Sequence, residues 1–367
     1  MISPTDHPPV IAVLVGDDGG RPPHLEPLDG RVHWRFTDAA GLAEAVRGAD
    51  ALLLWDFFSS ALADAWPHCD RLRWVHVAAA GVDTLLFDDL RSSRVVVTNA
   101  RGTFDRPIAE FVAMSVLAHA KRTHESAALQ RERTWRHREP RAVVGTRALV
   151  VGTGAIGREI ARLLRALGVE VHGAGSRARP GYLDAPPDGA AGSDGPARSD
   201  GTDRGGETDG PDGAAEVPDA DFATITDSAQ LAQHVAEVDY LINAAPLTSA
   251  TRGLIDAAVF AAIKPGAHLI NIGRGPTVVE ADLLAALETG RLDGASLDVV
   301  DTEPLPPDSP LWTAPGVVIT PHMSGDVVGW RDTLARQFVD NAERWLEHRP
   351  LRNVVDKHLG YVPIGTN

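Results

Sequence analysis

The chain has 367 residues, 44% hydrophobic and 23% charged, with a formal net charge of −15. That length supports two hydrophobic cores and that composition is ordinary for a globular protein; no apolar run reaches the roughly eighteen residues that a membrane span needs. The acidic balance argues against nucleic-acid and anionic-membrane partners. Part of it is local: residues 178–221 hold eleven acids and three arginines, a net of −8. The N-terminal MISPTDHPPV lacks the basic and apolar regions of a secretory signal. Cys69 is the one cysteine, so no internal disulfide can form and a reducing cytoplasm is expected.

The first hundred residues alternate short apolar runs with segments of helical spacing. VIAVLV (10–15), VHWRF (32–36), ALLLW (51–55), WVHVAAA (74–80) and VVVTNA (95–100) read as strands. Intervening segments such as AAGLAEAVRGAD read as helices. This is βαβ rhythm and predicts a parallel sheet. A long helix follows at about 107–131, with Pro107 in its first turn and Ile108, Phe111, Val112, Ser115, Val116 and His119 on one face. The preceding tract TNARGTFDRPIAEF reads as a hinge, and Arg101 within it is a weaker substrate-side candidate.

The rhythm restarts after residue 145 with RALVVGTGAIG, the helix REIARLLRALG and the strand VEVHGAG. Later strands are DYLINAA (239–245), AHLINIG (267–273), GASLDVV (294–300) and GVVITPH (316–322). The expected fold class is α/β, two Rossmann-like doubly wound parallel-sheet domains. Residues 180–220 stand apart, rich in Gly, Asp, Pro, Ser and Ala and nearly free of aliphatics. They are expected to form a disordered loop, because they cannot bury enough apolar area to offset the entropy of ordering them. DGAAGSDG fits no EF-hand spacing, and no metal site is expected.

Gly152, Gly154 and Gly157 stand in GxGxxG spacing between an apolar strand and an amphipathic helix, the context that makes the pattern informative for a dinucleotide. Pyrophosphate would meet the free N–H groups of the helix start. The next strand ends at Gly175 and is followed by Ser176, Arg177, Ala178 and Arg179, with no acid for a ribose 2′-hydroxyl. Two arginines and a hydroxyl suit a 2′-phosphate, so NADPH is expected over NADH. Three polar residues close later strands: Arg274 in LINIGRG, Glu303 in SLDVVDTEP and His322 in TPHMSG. Ligands collect at the carboxyl ends of such strands. A carboxylate-paired histidine can protonate a carbonyl oxygen, and an arginine can bind a substrate carboxylate and polarise the adjacent carbonyl. Trp55, Phe57, Trp135 and Trp330 are aromatic candidates for the substrate pocket, and His76 and His119 read as packing residues.

With GTGAIG, NAAPLT, LINIGRG, SLDVVDTEP and TPHMSG in this order, the chain resembles the D-isomer-specific 2-hydroxyacid dehydrogenases over nearly all of its length outside 180–220. The wider wording is similar to the glyoxylate/hydroxypyruvate reductase branch. The resemblance implies an Arg274–Glu303–His322 catalytic set and hydride transfer to a small 2-keto acid, giving a D-2-hydroxy acid. It implies substrate-carboxylate binding by Ala79, Ala80 and Gly81 together with Arg274. It implies a cofactor site of Gly152, Gly154, Ala155, Ile156, Gly157, Ser176, Arg177, Arg179, Ala245, Pro246, Ile272, Gly273, Arg274, Asp298 and His322. Within that site Asp298 would meet the nicotinamide amide, and Ala245, Pro246 and Leu247 would pass the adenosine side. The implied layout is a substrate domain of residues 1–104 with 323–367, a dinucleotide domain of 105–322, and an active site between them. A homodimer is implied, with the helix at 107–131 and RERTWRHREPR as candidate contacts. The insert departs from the family pattern beside the adenosine pocket. Two other readings stay open: a dinucleotide-sensing, corepressor-like binding protein, and a formate or phosphonate dehydrogenase of the same superfamily.

Overall fold

The computed structural model describes residues 7–16, 20–184 and 218–363. Two parallel sheets carry the fold. In the first, β1 (Val10–Leu14), β2 (His33–Thr37), β3 (Ala51–Leu54), β4 (Trp74–Val77) and β5 (Val96–Thr98) pair in the order β2-β1-β3-β4-β5. Helices α1 (Leu42–Ala45), α2 (Ala61–Ala65) and α3 (Asp88–Ser92) connect them. Strands β3 and β4 are buried throughout. A parallel strand covered on both faces must be apolar along its whole length, which is why these runs do not alternate.

Helices α4 (Asp105–Ala120) and α5 (Thr123–Arg131) follow. The second sheet joins β6 (Arg147–Val151), β7 (Glu170–Gly175), β8 (Ile225–Asp227), β9 (Tyr240–Asn243), β10 (Ala267–Asn271), β11 (Leu292–Leu297) and β12 (Val317–Ile319). Their order is β12-β11-β10-β9-β6-β7-β8. Helices α6 (Ala155–Ala166), α7 (Ala257–Ala262) and α8 (Glu280–Glu288) lie along this half. The final helix, α9 (Trp330–Leu346), returns to the first sheet. There Phe338 stacks on Trp74 at 5.6 Å, and Arg31 pairs with Glu343 at 3.4 Å. The tail continues this docking, with Val354 bridging Thr98 antiparallel.

Four expectations need correction. The long helix at 107–131 is broken: Arg122 takes a left-handed conformation (φ 52°) and starts a second helix. The break has a tertiary cause, since the Arg141 N–H donates to Ala120 O at 3.0 Å and Lys121 Nζ donates to Arg141 O at 2.9 Å. The returning chain therefore caps α4. The helix expected in AAGLAEAVRGAD shrinks to the single turn of α1. Strand ends overshot, as with WVHVAAA, of which only Trp74–Val77 is strand. The loop expected at 180–220 is too wide at both margins. Gly181 bridges Asp219, and Tyr182 and Leu183 donate to Phe222 O and Ala223 O at 2.9 and 3.1 Å. Its middle, 185–217, lies outside the described residues. Among the described residues no helix is long and apolar enough to cross a membrane.

Candidate active site

Every expected polar group stands just beyond the carboxyl end of a parallel strand. Arg274 follows β10, Asp298 and Glu303 follow β11, and His322 follows β12. The loop 79–83 follows β4 of the other sheet and meets them.

Arg274 stands between two glycines, and its guanidinium meets a carboxylate from the other sheet. Asp83, on the first-sheet loop, accepts from its Nε at 3.0 Å and lies 2.9 Å from Nη2. Nη1 donates to Gly273 O at 2.8 Å. A guanidinium has five N–H groups, so these contacts leave one N–H on each terminal nitrogen for a further acceptor. The backbone beneath is fixed by polar side chains. Thr277 Oγ1 donates to Arg274 O at 2.5 Å, and Asn243 Nδ2 donates to Asn271 and Thr277 at 2.8 and 2.6 Å. Gly81 makes the crossing possible: a Cβ there would lie 1.6 Å from Arg274 Nη2. The Ala79–Gly81 loop and Arg274 are thus brought together. A recess of about 330 Å³ beside them is lined by Asp83, Thr84, Leu247, Thr248, Ser249 and Arg252.

His322 and Glu303 form the expected pair, Nδ1 to Oε2 at 2.8 Å, with about a third of each side chain exposed. Burial works to raise the Glu303 carboxyl. The His322 ring, the Val300 N–H and the charge of Arg274 outweigh it and hold that carboxyl below its ordinary value. His322 has a positive φ of 51°, a cost that persists only where surroundings enforce it. Asp298 supplies the enforcement. Its backbone O accepts from His322 N at 2.8 Å, and its buried carboxylate accepts from Thr320 Oγ1, Met323 N and Ser324 N at 2.6, 2.9 and 2.9 Å. The nicotinamide contact expected of Asp298 therefore meets a carboxylate already engaged in holding the histidine turn.

The glycine loop separates fold from ligand. A Cβ at Gly152 (φ +101°) would sit 2.6 Å from Ala244 O, and one at Gly157 only 1.9 Å from Gly152 O. The fold itself requires both glycines. At Gly154 a Cβ would meet nothing within 4 Å, so the fold itself does not require a glycine there. Ala155 and Ile156 begin α6, and their N–H groups lie in its first turn. Ser176 and Arg177 are exposed beyond β7. Arg179 is partly buried and donates to Thr153 Oγ1 at 2.9 Å, so it buttresses the loop from beneath. Ala245 is buried, Pro246 is exposed, and Ile272 and Gly273 pack behind them.

Other candidates divide. Trp55 is buried, while Phe57 and Trp330 pack against each other at 6.1 Å near the histidine turn. Trp135 is fully exposed. Arg101 donates to the backbone carbonyls of Val362 and Pro363 at 3.4 and 3.1 Å, a tail-holding contact instead of a substrate one. His76 bonds Thr98 at 2.8 Å in the core, and His119 stacks on His268 at 4.3 Å. Sequence reasoning missed Asp83, although it stands only two residues after Gly81. It also missed Phe58, whose ring lies edge-on 5.8 Å from that of His322.

Two doubly wound parallel sheets, a glycine loop at a helix start and a carboxylate–histidine pair at strand ends define a dinucleotide-dependent oxidoreductase architecture. The profile of the D-isomer specific 2-hydroxyacid dehydrogenase NAD-binding domain matches residues 113–186 and 214–324, and its gap falls within the insert. Glyoxylate/hydroxypyruvate reductase A of Serratia proteamaculans is 30% identical over 284 residues, 76% of this chain and 77% of that protein. An NADPH-dependent glyoxylate/hydroxypyruvate reductase from Sinorhizobium meliloti, solved with NADP and sulfate, superposes with a TM-score of 0.72 at 27% identity. It covers 97% of this chain and 100% of its own. A D-isomer specific 2-hydroxyacid dehydrogenase from Xanthobacter autotrophicus, solved with NADPH and MES, gives 0.71 at 28% identity, with the same coverage. The chain belongs to the D-isomer specific 2-hydroxyacid dehydrogenase family.

Proposed function

We propose that the chain reduces a small 2-keto acid of the glyoxylate or hydroxypyruvate kind to a D-2-hydroxy acid, with NADPH preferred over NADH. The carrying observation is the His322 Nδ1–Glu303 Oε2 contact at 2.8 Å, which leaves Nε2 as the nitrogen that can meet a substrate oxygen. Glu303 orients the ring through Nδ1, and Nε2–H passes its proton to the carbonyl oxygen as charge develops there. Partial exposure of His322 lets solvent restore the proton. The two remaining N–H groups of Arg274 take the substrate carboxylate and carbonyl oxygen, with backbone N–H groups of Ala79, Ala80 and Gly81 on the other side. Asp83 holds the guanidinium in place for that contact.

The dinucleotide would rest on Gly154 and the first turn of α6, with Ser176, Arg177 and Arg179 at its 2′-phosphate end. Its adenosine side would pass Ala245 and Pro246, with Ile272, Gly273, Arg274, Asp298 and His322 toward the nicotinamide. When bound, it supplies the hydride to the carbonyl carbon. The NADPH preference is supported by the lack of an acid at the end of β7 and by the relatives solved with NADP and NADPH. In this reading residues 1–104 with 323–367 form the substrate domain and 105–322 the dinucleotide domain. A cytoplasmic homodimer would use α4, α5 and the segment carrying Trp135; Met114 and Leu117, exposed on α4, suit such a contact. The test is loss of reduced-nicotinamide absorbance with glyoxylate, hydroxypyruvate, pyruvate and phenylpyruvate, NADPH and NADH in parallel. Turnover favouring NADPH supports the reading. Turnover favouring NADH keeps the chemistry and rejects the cofactor preference. Cofactor binding without turnover rejects the enzyme.

A further inference from the structure

The charges of Arg274 and Asp83 cancel, and Asp83 uses one oxygen to do it. Oδ1 accepts from Nε at 3.0 Å and lies 2.9 Å from Nη2, while Oδ2 accepts nothing among the described residues. The Asp83 side chain is only 18% exposed, so water compensates that oxygen in part. An anionic keto acid bound here would meet a pair of zero net charge with a half-used carboxylate beside it. Glu303 faces the His322 ring, so that pair adds no net positive charge either. Recognition of an anion calls for a cation that nothing else cancels.

Such a cation stands on the opposite wall of the recess that Asp83 lines. Arg252 is exposed, and its guanidinium makes no hydrogen bond or ion pair with any described residue. Its base is fixed. Arg252 N donates to Thr248 O at 3.1 Å, Thr248 N to Thr251 Oγ1 at 2.8 Å, and Thr251 Oγ1 to Pro246 O at 2.6 Å. The next residue, Gly253, donates to Pro276 O at 2.9 Å, and Ile255 to Thr277 O at 3.0 Å. Thr277 is the residue whose hydroxyl holds Arg274 O. The two arginines are thus mounted on one frame, and only Asp83 comes from the other sheet. The recess of about 330 Å³ gives the Arg252 head room to cross. An ion pair there is worth little in open water, where it must also offset the lost rotamer freedom of a long side chain. A bound substrate that displaces water strengthens it.

We propose that Arg252 is a positioning residue of the keto-acid site. As substrate binds, Arg252 crosses the recess to Asp83 Oδ2, one carboxylate then bridges two arginines, and the site gains the single positive charge that the substrate carboxylate requires. This rests on the Arg274 reading above and extends it.

The experiment measures hydroxypyruvate reduction with NADPH in the wild-type protein, Arg252→Gln, Arg252→Lys, Asp83→Asn and the double variant Arg252→Gln/Asp83→Asn, each checked by thermal melt. Arg252→Gln should raise the keto-acid KM about tenfold, with a much smaller change in kcat and none in the KM for NADPH. Arg252→Lys should recover most of the loss, because the charge is what acts. In the Asp83→Asn background Arg252→Gln should change KM by less than about twofold, because the partner is already gone. A keto-acid KM unmoved by Arg252→Gln, or the same factor in both backgrounds, overturns the proposal and leaves the reductase standing. If no keto acid turns over, the reductase falls on its own, and calorimetric binding of oxamate to the NADPH-loaded protein decides. Binding weakened by Arg252→Gln in the wild-type background alone supports the proposal; equal binding in both proteins, or none in either, overturns it.

Discussion

Gly81→Ala separates the chemistry from the fold. The added Cβ would stand 1.6 Å from Arg274 Nη2, 2.8 Å from its Cζ and 3.2 Å from Asp83 Oδ1. None of these atoms is backbone, and Gly81 is not among the glycines with positive φ. The chain can therefore relieve the clash by swinging the arginine head away, at a folding cost under about 1 kcal/mol. The displaced guanidinium loses Asp83 and its aim at the substrate. A charge-assisted contact is worth about 1.5–3 kcal/mol, so kcat/KM should fall roughly tenfold to two-hundredfold. The assay pairs steady-state NADPH oxidation with a thermal melt and a cofactor titration. The expected result is a Tm within a few degrees of wild type, unchanged NADPH affinity and a large loss of kcat/KM. Wild-type kcat/KM would refute the claim that Gly81 exists to admit Arg274. A collapsed Tm would refute the argument that only a side-chain tip is displaced.

Three further expectations follow from the same geometry. Gly154→Ala should raise the dinucleotide Kd about tenfold or more with Tm unchanged, whereas Gly157→Ala should lower Tm as well, because its Cβ meets the Gly152 carbonyl at 1.9 Å; equal melts for the two would remove the distinction between a ligand glycine and a packing glycine. Glu303→Gln should lower kcat/KM and remove the acid limb that the carboxylate sets in its pH profile. In the wild type the contribution of the ionised carboxylate is present above the ordinary carboxylate range and lost as pH falls through its depressed value, so an acid limb unmoved by Glu303→Gln would contradict the pairing. Burial lowers the pKa of His76 to about 3 from an ordinary 6.5. The unfolded chain then takes the proton first, so stability is full above 6.5 and falls by about 1.4 kcal/mol per pH unit below it. Urea unfolding at pH 7 and pH 5 should differ by about 2 kcal/mol more in wild type than in His76→Leu, and an equal difference would contradict the buried neutral histidine.

Much of this architecture was legible because its signals are local. Strands such as ALLL and RALVV are apolar throughout, as a doubly covered sheet demands, and GTGAIG stands between a strand and a helix. Arg274 and His322 each follow closely on an apolar run, so their placement at strand ends could be read directly. What escaped depends on distant parts of the chain. Asp83 meets Arg274 across 191 residues. The break at Arg122 carries no Gly or Pro and comes from the chain returning at Arg141. Strand β8 is three residues long and follows directly on the insert. Asp298 was placed at the site, but its engagement with Thr320, Met323 and Ser324 needed the turn to be seen.

The most direct test of the central claim is His322→Ala, measured at once for keto-acid turnover and for NADPH binding. Turnover should fall about a hundredfold or more, with NADPH affinity nearly that of wild type. Near-wild-type turnover would contradict the assignment of His322 as the proton donor and, with it, the catalytic role given to its pairing with Glu303.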